Sequence, residues 1–494
     1  MSKELGMIQP IQLNPEQIRP GQIKPGQIKP GQTVHLMGIC GTAMASLAGL
    51  LKDKGVIVTG SDQNPYPPMS TQLEKLGIKI MIGYRPENLS HKPDLVIVGN
   101  VISRSNPEVE EMLRMDLPYT SLPKAIGEWV IGSRESLVVS GTHGKTTTTS
   151  LLAWIAEGIG VQPGFLIGGI PQNFSLSFRN PLGNFFVIEG DEYDTAFFDK
   201  VPKFIHYKPK HVVLTSIEFD HADIYADLSA VKAAFRRLLE LIPQDGTLIY
   251  HGKDANILEL LQYAKVKNKF SYGASKCDYI VKTVSRTIEG TTFQVYHGPI
   301  FLGEFFMTMT GDYNVLNAVA AIGLGDQLGW PIEKIRESVA TFQGVRRRQE
   351  IIGEPRGITI IEDFAHHPTA VRETIKAIQT KYVGRKVFSV FEPRSATSRR
   401  KIFQQDYVSA FKGSQEVLIA DAFDQTKLNE MDRFSSQELV QDLSQLGCLA
   451  HSFKSASEIV DYLGKTAKPQ DVILIMSNGG FDGIYQKLMQ RLLQ

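Results

Sequence analysis

Short apolar runs recur along the chain, and most close on glycine or polar residues. The runs at 34–37, 56–59, 78–82, 95–98, 137–139, 185–188, 212–215, 358–361, 387–391, 417–420 and 472–476 are four or five residues long or nearly so. Runs that do not alternate fit strands buried on both faces, as in parallel sheets covered by helices. Helical patterns lie between most of them, which predicts an α/β chain of doubly wound sheets. Residues 240–310 differ. Stretches at 246–250, 279–283, 291–296 and 301–309 follow one another with little helix between them and predict a β-rich segment. Before residue 33, proline recurs every fifth position (Pro15, Pro20, Pro25, Pro30), which forbids a helix and predicts an extended tail. The expected organisation is a tail at 1–32 and domains at 33–134, 135–343 and 344–494.

Composition narrows the function. The chain has 494 residues, enough for about two to four domains. Lys+Arg number 53 against 52 Asp+Glu, so charge makes no case for a nucleic-acid or membrane-surface partner. No apolar run approaches the ~18 residues of a membrane span, and no signal core opens the sequence, so a cytoplasmic protein is expected. Three scattered cysteines, Cys40, Cys277 and Cys448, fit reduced thiols rather than a disulfide framework.

The strongest chemical signal is Ser140-Gly141-Thr142-His143-Gly144-Lys145-Thr146-Thr147, set between an expected strand and an expected helix. Glycines let backbone N–H groups turn onto an anion, and the helix N-terminus adds the positive end of its dipole. Lys145 would reach the β/γ-phosphates of a nucleotide and the Thr146 hydroxyl a Mg²⁺ ion. The loop is shorter than the usual phosphate-binding pattern, and a polar helix cap is the alternative. The strand at 185–188 delivers Glu189, Asp191, Glu192 and Asp194, and the strand at 212–215 delivers Glu218, Asp220 and His221. Two acidic strand ends beside a phosphate loop fit a two-cation ATP site, whereas either alone fits a solvated turn. In the first domain, the turn with Gly38, Cys40, Gly41 and Thr42, together with Asp62 and Asn100 at later strand ends, fits a nucleotide-type ligand. Asn314 and Asn317 open a helix, either to read an adenine edge or to cap it.

Taken together, Gly141–Thr147, Glu189–Asp194, Glu218–His221, Asn314/Asn317, Arg346-Arg347-Arg348 and Asp363-Phe364-Ala365-His366-His367-Pro368 resemble, in order, the motifs of the Mur ligases, from about residue 33 to the end. The resemblance implies three domains: a Rossmann-like N-terminal domain for a UDP-sugar, a central phosphate-loop ATPase-like domain, and a Rossmann-like C-terminal domain. It implies ATP-dependent amide bond formation in peptidoglycan recycling. UDP-N-acetylmuramate would be joined to the tripeptide L-alanyl-γ-D-glutamyl-meso-diaminopimelate through an acyl phosphate. Glu392-Pro393-Arg394 and Ser477-Asn478-Gly479-Gly480 favour that acceptor over free L-alanine, the acceptor of the de novo branch. Carried over residue by residue, Gly141 to Thr147, Asn314 and Asp363 would hold ATP. Thr146, Glu189 and His221 would hold two Mg²⁺ ions. Arg346 or Arg347 would meet a phosphate, His366 the muramyl carboxylate or the amine, and Arg394 a peptide carboxylate. Tyr313 and Phe364 depart from the family pattern. A nucleotide sensor without catalysis is the rival from another class.

Overall fold

The computed structural model describes residues 28–65 and 69–493. The proline-repeat tail lies outside the described residues up to position 27, as do Tyr66, Pro67 and Pro68. At the tail's end, the Gly31 N–H donates to the Gly55 carbonyl at 2.8 Å. The chain divides after Trp129 into two compact units.

The first unit carries five parallel strands in the order Ile80–Ile82, Ile57–Asp62, Thr33–Met37, Leu95–Val98, Tyr119–Ser121. This is a Rossmann-like arrangement, with the crossover between the first and fourth strands in sequence. The helix Thr42–Asp53 buries Met44 through Leu51.

The second unit contains two sheets. In the ten-stranded sheet Glu135–Ser140 is an interior strand, which pairs in parallel with Phe185–Gly190 on one side and Pro209–Leu214 on the other. The β-rich stretch continues this same sheet. Thr247–His251 and Asn268–Gly273 extend it in parallel, then Tyr279–Arg286, Thr291–His297 and Ile300–Met307 close it as an antiparallel meander. The helices Lys145–Gly158 and Asp312–Gln327 share one apolar core with it, including Val139, Leu152, Val319 and Phe293.

The last sheet has six strands in the order Glu350–Gly353, Thr359–Asp363, Val472–Met476, Val387–Phe391, Glu416–Ala420, Leu449–Phe453. All pairs are parallel except the first, so the expected parallel sheet carries one antiparallel edge strand. Alternate residues of its apolar runs point to opposite faces. Val417 and Ile419 enter a core with the helices Pro368–Lys381, Gln404–Phe411 and Ser436–Gln445. Leu418 and Ala420 enter another with Ala456–Thr466 and Ile484–Leu493. Burial on both faces is why these runs show no alternation.

Candidate active site

The phosphate loop joins the strand Glu135–Ser140 to the helix Lys145–Gly158. Gly144, the residue before that helix, has φ +81°, a left-handed conformation that favours glycine. A Cβ there would lie 2.5 Å from Asn317 Oδ1, so the loop sits directly against the Asn314/Asn317 helix. The segment after Pro209–Leu214 braces the other side. Thr142 N–H donates to the Ser216 carbonyl at 2.8 Å, and the Thr215 hydroxyl donates to the His143 carbonyl at 2.6 Å.

The acidic run beyond the strand Phe185–Gly190 is not a solvated turn, since Glu189 and Glu192 are 9% and 2% exposed. Each acid has its own partner. Glu189 accepts from the Thr146 hydroxyl at 2.9 Å and from the Gly168 N–H at 2.5 Å. Burial, with the charge of Asp191, pushes its carboxyl above the ordinary range. Glu192 lies 3.0 Å from Lys145 Nζ, which also donates to the Gly141 carbonyl at 2.7 Å. Burial alone would lower the Lys145 ammonium; Glu192 and Asp191 outweigh it and hold the group above the usual lysine value. Asp191 accepts from Lys203 at 3.0 Å and from the Tyr193 hydroxyl at 2.8 Å.

His221 follows the other strand end with φ +54°, uncommon outside glycine and worth noting at a candidate site. Its Nε2 lies 3.7 Å from Glu192 Oε1. A carboxylate and a hydroxyl in contact, Glu189 and Thr146, fit a hard cation that keeps waters and phosphate oxygens as its other ligands. His221 shares its surroundings with Glu192 rather than with a directly bonded Glu189.

The C-terminal segment reaches this region through Asp363, Phe364 and the two histidines. Asp363 is buried and accepts from the Gln349 and Ala365 N–H groups at 2.9 and 2.8 Å. Burial pushes its carboxyl up. Gln349 also donates to the Tyr313 hydroxyl at 2.6 Å, linking the Asn314 helix to the Asp363 strand. The three arginines of 346–348 diverge. Arg346 is exposed. Arg347 donates to Glu362 at 2.6 Å and to the Gly479 carbonyl at 2.6 Å. Arg348 lies 4.8 Å from the Phe364 ring centre. His366 Nδ1 is 3.0 Å from the Phe364 carbonyl, and burial lowers its pKa. Arg394 lies over the Phe423 ring at 3.8 Å and 3.2 Å from Glu392, with part of its fork left for another acceptor.

Sequence reasoning gave no role to three contacts between these segments. The Thr369 hydroxyl donates to Glu218 at 2.7 Å, His143 Nε2 lies 3.3 Å from the same oxygen, and Thr397 donates to Asp220 at 2.9 Å. Burial would raise Glu218, but bonds from His143 and Thr369 outweigh it and bring the carboxyl to about 2. Only the acidic composition of 218–223 hinted at this cluster.

In the first unit, Gly38 has φ +79° and its N–H donates to the Ser61 carbonyl at 2.8 Å. Asp62 accepts from the Cys40 N–H at 2.9 Å, so the acid at the second strand end holds the glycine turn. Gly41 and Thr42 begin the following helix, and Asn100 is exposed beyond Leu95–Val98. Burial and Asp62 push the Cys40 thiol up to about 12, which makes it inert. No described helix is long and apolar enough to cross a membrane.

Three family models match the chain: the Mur ligase family catalytic domain at 33–134, the Mur ligase middle domain at 139–325, and the Mur ligase glutamate ligase domain at 347–479. The UDP-N-acetylmuramate–L-alanyl-γ-D-glutamyl-meso-2,6-diaminoheptandioate ligase of Escherichia coli (strain K12) is 39% identical over 461 residues, 93% of this chain and 98% of that protein. The UDP-N-acetylmuramate–L-alanine ligase of Clostridium tetani is 32% identical over 447 residues, 90% and 95% of the two chains. The crystal structure of a murein peptide ligase from Psychrobacter arcticus covers 94% of this chain and 99% of its own, at 34% identity and TM-score 0.71.

Proposed function

The chain belongs to the Mur ligase family, and from that premise we propose that residues 33–134 hold the UDP-sugar, 135–343 the ATP, and 344–494 the incoming peptide. The protein is an ATP-dependent ligase of the murein peptide ligase kind. It joins UDP-N-acetylmuramate to the recycled tripeptide L-alanyl-γ-D-glutamyl-meso-diaminopimelate and releases ADP and phosphate. The observation that carries the chemistry is the acidic end of one strand set against the phosphate loop that leaves its neighbour, with Thr146 donating to Glu189 at 2.9 Å and Lys145 Nζ 3.0 Å from Glu192.

A carboxylate does not condense with an amine at neutral pH, so it must be activated. The lactyl carboxylate of UDP-N-acetylmuramate attacks the γ-phosphorus of ATP, the β–γ bridge breaks, and ADP leaves. The peptide amine then attacks the acyl phosphate, loses a proton, and expels phosphate. Phosphoryl transfer needs alignment and charge neutralisation more than covalent help. Gly141 to Thr147 wrap the phosphates, and Lys145 exchanges its Glu192 partner for phosphate oxygen. Thr146 and Glu189 would hold one Mg²⁺ and His221 a second, and the ions would supply charge neutralisation at the γ-phosphate. Asn314 and the Asp363 strand flank the nucleoside. Arg346 or Arg347 serves a phosphate from the C-terminal side; Arg347 is committed to Glu362, which favours the exposed Arg346. His366, neutral at physiological pH, has its Nε2 to offer the carboxylate or the amine. Arg394 meets a peptide carboxylate bidentately. Gly38, Cys40, Gly41, Thr42, Asp62 and Asn100 form the UDP-sugar edge. These substrates are those of the cytoplasm, where the enzyme works.

The test is ADP release with ATP, Mg²⁺ and UDP-N-acetylmuramate, comparing the tripeptide with free L-alanine. Turnover with the tripeptide and little with alanine is expected. The reverse would move the chain to the de novo branch and remove the role given to Arg394. ATP binding without turnover on either acceptor would favour a sensor.

A further inference from the structure

Beside the phosphate loop, one set of donors converges whose side chains have no part in the chemistry above, although the backbone of one of them, His143, belongs to the loop. One ligand atom from each of His143, Glu218 and His367 lies within 4.8 Å of the others. They come from three places: the phosphate loop, the segment after Pro209–Leu214, and the residue that caps the helix Pro368–Lys381. His143 Nε2 is 3.3 Å from Glu218 Oε2, and His367 Nδ1 is 3.6 Å from the same oxygen.

The hydrogen bonding orients two of the three as ligands, and a cation would displace the proton that His143 Nε2 turns toward Glu218. His367 Nε2 donates to the Phe219 carbonyl at 3.1 Å, which fixes the proton there and leaves Nδ1 with its lone pair. Nδ1 accepts only a long bond, 3.3 Å, from the Thr369 N–H. A lone pair and a carboxylate oxygen 3.6 Å apart repel unless a proton or cation lies between them. The Thr369 hydroxyl donates to Glu218 Oε2 at 2.7 Å and aims the carboxylate.

We propose that His143, Glu218 and His367 form a binding site for a zinc-class divalent cation. Bound there, the ion fastens the phosphate loop to the helix Pro368–Lys381. Two imidazole nitrogens and one carboxylate are a borderline donor set that suits Zn²⁺ or Co²⁺, and a fourth position is left to water. Mg²⁺, which prefers oxygen ligands, binds poorly where two of three donors are nitrogens. None of the three donors is assigned to Mg²⁺, so the two kinds of site can be separated by mutation.

Co²⁺ is the probe. The full-length chain, stripped with chelator and free of nucleotide, is titrated with CoCl₂ while visible absorption is followed. One equivalent is expected to give the absorption of a four- or five-coordinate ion, displaced by Zn²⁺ and not by excess Mg²⁺. Glu218→Gln and His367→Asn are expected to abolish it; asparagine keeps a helix cap, so folding is preserved. Thr369→Val leaves all three ligands and should weaken Co²⁺ binding ~10-fold. Glu189→Gln should leave the spectrum unchanged. Zn²⁺ should raise the melting temperature of the parent chain and not that of His367→Asn. No Co²⁺ spectrum in the parent chain, a spectrum undiminished in both ligand variants, or one lost in Glu189→Gln would each overturn the proposal.

Discussion

Gly144→Ala tests how tightly the phosphate loop is specified. Gly144 has φ +81°, where an alanine costs roughly 1–2 kcal/mol. The new Cβ would stand 2.5 Å from Asn317 Oδ1 and 3.2 Å from its Cγ. Asn317 is 6% exposed, and turning its amide away breaks the 3.5 Å bond to Asn314, worth about 1 kcal/mol at most. The two costs together come to roughly 2–3 kcal/mol. A ligand-free loop can relax away from the contact, whereas a bound nucleotide requires the loop in place, so the cost falls on affinity. Calorimetry with ADP and Mg²⁺ should therefore show Kd raised ~30- to 150-fold. Asn317→Ala removes the obstructing amide and on its own should cost about 1 kcal/mol. In the double variant the alanine Cβ enters space the amide vacated, so about 1 kcal/mol should be recovered relative to the sum of the single changes. An ADP Kd within about threefold of the parent in Gly144→Ala would refute the strain argument, and strict additivity would refute the contact with Asn317.

Three further outcomes are expected. Arg394→Lys removes the guanidinium fork and should raise KM for the tripeptide ~10- to 100-fold while leaving that for UDP-N-acetylmuramate within ~2-fold; an unchanged tripeptide KM would leave Arg394 a partner of Glu392 and Phe423 only. Glu189→Gln should raise the Mg²⁺ concentration for half-maximal ADP release at least ~10-fold, and an unchanged requirement would remove Glu189 from the cation site. His367 titrates at about 4 in the fold, lowered chiefly by burial, against 6.5 for an ordinary histidine. The unfolded chain therefore binds more protons in between, so this stability is complete above pH 6.5 and is lost as pH falls to 4, about 3 kcal/mol in all. Melting curves across that window should fall more steeply for the parent than for His367→Asn; equal slopes would count against a neutral buried His367.

What the sequence made legible follows from physical range. Strands buried on both faces, such as Val387–Phe391 and Val472–Met476, announce themselves because every position is apolar. Tyr119–Ser121, Asn268–Gly273 and Leu449–Phe453 did not, since each mixes polar residues into a short or half-exposed strand whose pairing comes from neighbours far along the chain. The phosphate loop was legible because its chemistry is local: glycines, lysine and threonine in one turn. The acidic run was legible as composition but not as arrangement. That Glu189 turns to Thr146, Glu192 to Lys145 and Asp191 to Lys203 depends on which side of one strand end each leaves. Arg346 and Arg347 were equal candidates in the sequence. Arg347 takes φ +63° and its guanidinium is spent on Glu362 and the Gly479 carbonyl, contacts with residues 15 and 132 positions away that local sequence does not announce.

The bond between Glu218 and Thr369 joins residues 151 positions apart, so no periodicity could have predicted it. Yet this bond and its neighbours decide how the phosphate loop is held. His143 sits inside the loop and faces Glu218, and Glu218 is gripped in turn by Thr369 at the start of the helix Pro368–Lys381. On the loop's other flank, Asn317 closes on Gly144, and Tyr313 of the same helix bonds through Gln349 to the Asp363 strand. The loop that would bind phosphate is thus linked on both flanks to the segment expected to present the peptide. A ligase must keep water from its acyl phosphate until the amine arrives, and a loop tied to the acceptor side supplies that coupling without a separate lid.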